Sequence, residues 1–123
     1  VSPTTWILDL FSAIDRKDMD GFVQFLSEDA IFRYGSQPAA VGRAQIRDAL
    51  KGFFSMIHSL SHSLHRIWAN GEWITVQGEV TYTLSSGASI TLPFVDLFLM
   101  TGPKVREYLI YIDPAPLFDA MKA

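Results

Sequence analysis

The chain has 123 residues, a net charge of −3 and a sequence in which nearly half the residues are hydrophobic. That is enough to bury a real core as a single domain over 1–123, and the thinly scattered Lys and Arg argue against nucleic-acid binding. No apolar run reaches the roughly 20 residues that span a bilayer, and no secretory segment opens the chain, so the expectation is a cytoplasmic protein with no membrane partner. Val1 in place of Met is read as a trimmed initiator or short tag. Zero cysteines exclude disulfides and thiolate chemistry, and three His without ligand-like spacing argue against a metal site; no cofactor is expected. Nine Phe, three Trp and four Tyr exceed what one small core needs. The surplus points to a ligand cavity, a subunit interface, or both.

In chain order, Ser2-Pro3 opens a helix with a cap and then Pro at the first helical position. Trp6, Ile7, Leu10, Phe11 and Ile14 follow at helical spacing to about Lys17. Asp18 caps a shorter second helix that turns Met19, Phe22, Val23 and Leu26 inward. Residues 30–34 read as a short strand and 35–42 as a loop. A third helix runs from about Arg43 to Met56 with Ile46, Leu50, Phe53 and Phe54 on its apolar side.

Beyond residue 60 the pattern becomes one of strands. Asn70-Gly71 is a strong type I′ hairpin signal, and Ser86-Gly87 and Thr101-Gly102-Pro103 mark two more turns. They divide the remainder into strands near 61–69, 72–85, 88–100 and 104–113, the last ended by Asp113-Pro114. The fold class is α+β, a curved antiparallel sheet packed against three N-terminal helices.

Tight turns at Asn70-Gly71 and Ser86-Gly87 fix a register that sets His62 opposite Glu79, Leu64 opposite Gln77, Phe94 opposite Glu79 and Asp96 opposite Gln77. One face then carries His62, Leu64, Arg66, Trp68, Gln77, Glu79, Thr81, Leu92, Phe94 and Asp96. The other carries His65, Ile67, Ile74, Val76, Val80, Tyr82, Pro93, Val95, Leu97 and Leu99. The mixed first face reads as a pocket wall, and the apolar second face as the interface of a homodimer formed through the sheet.

Within the pocket face, a carboxylate at Glu79 would orient the His62 imidazole for general acid–base work; the plainer alternative is a cross-strand polar pair. Asp96 interrupts the apolar run Leu92-Pro93-Phe94-Val95-Asp96-Leu97-Phe98. Burial would keep it protonated and able to donate to a developing oxyanion, or it is a structural acid held by Arg66, Gln77 or His62. His58 and His65 read as structural. Trp68 and Trp73 read as packing at a pocket mouth or interface.

Several segments resemble the SnoaL-like branch of the nuclear transport factor 2-like superfamily of cone-shaped α+β proteins. They are Leu26-Ser27-Glu28-Asp29-Ala30 entering the first strand, Val41-Gly42-Arg43 opening the third helix, His62 with Arg66-Ile67-Trp68, and the run from Tyr111 to Phe118. The resemblance implies a cone with an internal pocket into which Tyr34 and Tyr108 also project. It implies a small apolar organic ligand, and it covers cyclases, isomerases, dehydratases, epoxide hydrolases and binding modules alike. Asp96 falls where ketosteroid isomerases carry a protonated acid. Their general-base aspartate corresponds to Tyr34 and their helix-one tyrosine to Leu10. The Asp-Arg-Asp set of limonene epoxide hydrolases corresponds to Glu79, Gln77 and Ile110, which leaves that set incomplete. The residues expected to carry chemistry are therefore His62, Glu79 and Asp96, with Tyr34, Arg66, Trp68, Gln77, Phe94 and Tyr108 binding the ligand. The expected function is cofactor-independent isomerase, cyclase or dehydratase chemistry at a carbonyl compound. The alternative is a non-catalytic ligand-binding or dimerisation module.

Overall fold

Apolar stripes at helical spacing and apolar-polar alternation give the chain its two kinds of element, each with one face that must be covered. The computed structural model describes residues 3–122; Ser2, the expected cap, lies outside the described residues. Helices α1 (Pro3–Asp15), α2 (Met19–Val23) and α3 (Arg43–Phe54) accompany strands β1 (Leu26–Tyr34) and β2 (Ala40–Val41). Strands β3 (Ser59–Asn70), β4 (Trp73–Thr83), β5 (Ser89–Thr101) and β6 (Lys104–Ile112) follow. A C-terminal helix that the sequence reading did not anticipate, α4 (Ala115–Met121), closes the order. Among the described residues the strands form one curved, open, six-stranded sheet in the order β2-β1-β6-β5-β4-β3. All neighbouring pairs are antiparallel except β1 with β6, which run parallel. Among the described residues no helix is long and apolar enough to cross a membrane.

The helices bury the expected stripes. Ile7, Leu10, Phe11 and Ile14 of α1, Phe22 of α2 and Ile46, Leu50 and Phe54 of α3 enter one core with the concave face of the sheet. Each such side chain contributes on the order of 1.5–3 kcal/mol when fully buried. Asp18 caps α2 as expected, its carboxylate accepting from the Gly21 N–H.

The hairpins differ from the tight turns expected, and the second difference changes which residues share a face. At the first, Asn70 pairs with Trp73, so Gly71 and Glu72 are the turn residues. Gly71 has φ +61 and Glu72 is not in the left-handed region. This is the type II′ pattern, with Gly first, in place of type I′ on Asn-Gly. At the second, the Gly87 N–H donates to Leu84 O and the Leu84 N–H to Ala88 O, a three-residue loop over 85–87. The first change shifts its ladder by two residues, which keeps the facing of β3 against β4, and the second shifts its ladder by one, which reverses the facing of β5 against β4. β4 then follows its own alternation, with Ile74, Val76, Val80 and Tyr82 buried, and pairs Val76 with Asp96 and Gly78 with Phe94.

A bulge in β3 supplies a third change. Arg66 pairs with Gln77, but Leu64 pairs with Gly78 and His62 with Val80, leaving His65 as the extra residue. Without the bulge, the Asn70–Trp73 register would set His62 opposite Thr81, on the convex side. With it, Leu60, His62 and Leu64 face the core. The bulge needs a glycine across the ladder: a Cβ at position 78 would stand 2.2 Å from the Ser63 carbonyl oxygen, a backbone atom that cannot swing aside.

Gly78→Ala is accordingly expected to destabilise the fold by about 3 kcal/mol, the upper part of the usual range for overpacking. Urea unfolding followed by tryptophan fluorescence measures this; a loss within experimental error would show that the bulge does not depend on the glycine.

Candidate functional site

The curved sheet and the helices leave a cavity of about 430 Å³ between them. Phe22, Phe32, Phe53, Phe54 and Phe118 supply much of its wall, the last from α4. Gln37, Pro38, Asp48 and Met56 also line it, from the loop after β1, from α3 and from the turn after α3. The polar groups within are His62 from β3, Tyr34 from β1, Tyr82 from β4 and Tyr108 from β6.

His62 is held by a residue that the sequence reading missed. Asp15, the last residue of α1, accepts the His62 backbone N–H on Oδ2 at 3.0 Å and meets the ring Nδ1 with Oδ1 at 2.5 Å. The ring lies against Phe11 and Phe94, with centroids 4.8 and 5.5 Å away. A carboxylate on Nδ1 favours the tautomer with the proton there, which leaves the Nε2 lone pair free to take a proton. The signal for Asp15 was present but faint. It stands four residues after Phe11, on the edge of the apolar stripe, and an acid in the last turn of a helix opposes the helix dipole.

Asp96 is 1% exposed, the one buried charged or polar residue among the core residues described. Its Oδ2 accepts from the Tyr108 hydroxyl at 3.2 Å, and its Oδ1 is buried with no hydrogen-bond partner among the described residues. Burial pushes the carboxyl well above its ordinary value of 3.8, and the Tyr108 hydrogen bond offsets this only in part. Tyr108 thus stands between the acid and the cavity. The Tyr34 and Tyr82 hydroxyls form a second pair at 2.9 Å. Burial raises all three phenols from 10.0, and the nearby Asp96 charge adds to each rise, while the bond from Tyr82 partly offsets it for Tyr34. They are neutral hydrogen-bond donors at any ordinary pH.

Of the residues expected to carry chemistry, the structure brings His62 to the cavity and Asp96 behind its Tyr108 wall. It does not bring Glu79. That residue pairs with Ser63 and Pro93 on the convex face, half exposed, and its nearest basic group is His65 at 3.6 Å. The reason is the bulge, which turns His62 away from the face of Glu79, and the one-residue shift of the second hairpin, which does the same for Asp96. Arg66, Trp68 and Gln77 stay with Glu79 on the convex face, where Arg66 donates to the Gln77 side chain at 2.7 Å and Trp68 is 51% exposed. His65 stands in the bulge, exposed, and not on an apolar face. Tyr34 and Tyr108 line the cavity; Phe94 packs against the imidazole. Tyr82, expected on the opposite face, is the further pocket residue. Among the described residues no cluster of three or more His, Cys, Asp or Glu is placed to hold a metal ion.

The fold matches known proteins. Solved structures of low sequence identity superpose over nearly the full chain. An NTF2-like protein of unknown function from Burkholderia pseudomallei K96243 gives a TM-score of 0.89 at 18% identity, over 98% of this chain and 97% of its own. A candidate SnoaL-like polyketide cyclase from Jannaschia sp. CCS1 gives 0.85 at 19%, over 100% and 96%. TerC, co-crystallised with polyporic acid, gives 0.85 at 18%, over 98% of each chain. These are likenesses of fold. The model of the family described as the SnoaL-like domain matches residues 7–108, from α1 into β6. The chain belongs to the SnoaL-like domain family.

Proposed function

We propose that the cavity binds a small, largely apolar carbonyl compound and moves a proton at the carbon beside the carbonyl. This is the step shared by isomerases, aldol-type cyclases and dehydratases. The observation that carries the reading is the Asp15 carboxylate on His62 Nδ1, which leaves the other ring nitrogen as a base at an aromatic-walled cavity. In the proposed step the C–H bond breaks, its proton passes to His62 Nε2, and its electron pair moves through the carbonyl to the oxygen. The Tyr34–Tyr82 pair donates a hydrogen bond to that oxygen, or Tyr108 does after turning its hydroxyl proton from Asp96, whose own carboxyl proton then goes to the phenol oxygen. The imidazolium then returns the proton to the same carbon or a conjugated one. Asp15 takes the orienting role first assigned to Glu79. The relatives support this only as far as fold: one resembles polyketide cyclases, and another was crystallised with polyporic acid.

We further propose a homodimer through the convex face of the sheet, in place of the face of Ile74, Val76, Val80 and Tyr82 first expected to pair, which is buried in the core. That face exposes Trp68, Trp73 and Tyr111, at 51%, 39% and 47%, beside Val95 and Leu97. Large aromatics grouped on one open face favour a second copy of the same surface.

Deuterium incorporation beside the carbonyl, followed by NMR in D₂O with a panel of uncharged ketones such as 1-tetralone, tests the chemistry. The wild type is expected to exchange at least one of them, and His62→Ala and Asp15→Asn to lose about 10²-fold or more in kcat. Binding across the panel with no exchange above buffer would leave a ligand-binding module in place of an enzyme.

The protonated state of Asp96 has a separate signature in stability. Its native pKa is raised, so the unfolded chain releases this proton near the ordinary carboxylate range while the native state keeps it. Native stability should fall with rising pH through that window, by about 1.4 kcal/mol per pH unit from this group. Asp96→Asn removes the dependence, so the difference in unfolding free energy between variant and wild type should grow as the pH rises above the ordinary carboxylate range. Parallel curves would mean that the native carboxyl is ionised.

Sedimentation equilibrium is expected to give twice the chain mass for the wild type and the single-chain mass for Trp68→Glu with Leu97→Glu. A monomeric wild type at micromolar concentration would remove the dimer.

A further inference from the structure

Lys17 has an unusual backbone and an unusual set of partners. The end of α1 has the bonds of a Schellman motif: the Asp18 N–H donates to Ala13 O at 2.9 Å and the Lys17 N–H to Ile14 O at 2.8 Å. Lys17 occupies the left-handed position of that motif, φ +56, where glycine is the usual residue. It is the one non-glycine residue with positive φ among those described. A lysine kept where glycine would be less strained needs a reason in its side chain. The Nζ donates to three backbone carbonyls, Phe54 O at 3.2 Å, Ile57 O at 2.9 Å and His58 O at 2.9 Å, using every N–H the ammonium has.

Those carbonyls belong to the end of α3 and the approach to β3, which is an edge strand with a neighbour on one side only. Four residues beyond His58, the same strand presents His62 to Asp15, two residues before Lys17. The last turn of α1 therefore grips the strand at two points, and the ammonium fixes the spacing for the carboxylate.

We infer that Lys17 is a positioning residue, holding β3 against α1 so that Asp15 keeps both the backbone and the ring of His62. The inference rests on His62 as the group that moves the proton, but its test needs no substrate. In ¹⁵N-labelled protein, two signals report the Asp15–His62 geometry: hydrogen exchange at the His62 amide and the downfield imidazole N–H resonance. Val76, in the middle of β4, reports global opening. In Lys17→Gly, which suits the left-handed backbone, the His62 amide is expected to exchange about tenfold faster relative to Val76, and the imidazole signal to be lost. Lys17→Met, which keeps the aliphatic stem, should do the same. If His62 and Val76 shift together, or neither shifts, Lys17 is no more than a general staple and the inference fails. If ketone exchange is absent in the wild type while the NMR result holds, only the proposed chemistry fails.

Discussion

A backbone carbonyl and an absent side chain govern the site. The β3 bulge brings the Ser63 oxygen to where a Cβ on residue 78 would stand, and only glycine leaves that space. Because side chains alternate strictly along a strand, the one extra residue reverses the facing of everything before it. Leu60, His62 and Leu64 face the helices for this reason, and the imidazole enters the cavity at all. Arg66 and Trp68, on the other side of the bulge, are left on the convex face.

Once His62 is inside, its surroundings determine what it can do. The ring is packed on two sides by phenyl groups, so little but Asp15 and the cavity remains available to its nitrogens. Asp15 reaches it from a different layer of the fold, and the link closes only if α1 and the edge strand are held at fixed separation. The opposite polar group works by isolation. Asp96 has one phenol for company and one oxygen with none, and in such a setting a carboxyl keeps its proton. An anchored base and a neutral donor group on the walls of one aromatic cavity are what enolisation requires.

Much of this was legible in the order of residues. The helical stripes, the three turn regions, the spans of the last four strands and the odd acid in β5 follow from local periodicity and turn chemistry; the start of β1 at Leu26, expected in the second helix, and the short β2 do not. The α+β class and its likeness to the SnoaL-like branch follow with them. Gly78, alone inside the alternation Val76-Gln77-Gly78-Glu79-Val80, even marked where a bulge belonged. His62 and Asp96 do share a face, but not that of Glu79: the bulge turns the one and the shifted second turn the other. Glu79, Gln77, Arg66 and Trp68 keep their common face, which is the convex one.

The sequence by itself determined the kinds of element, their order and the chemistry available, because propensity and alternation act over a few neighbours. Phase and partnership were decided only in three dimensions. β5 is apolar on both sides over 92–99, so its own pattern selects no face; the helices selected one when they covered Phe94 and Phe98. Asp15 and His62 are 47 positions apart, and no local rule couples them. Their meeting depends on where α1 docks against β3, a matter of packing that only the assembled fold can settle.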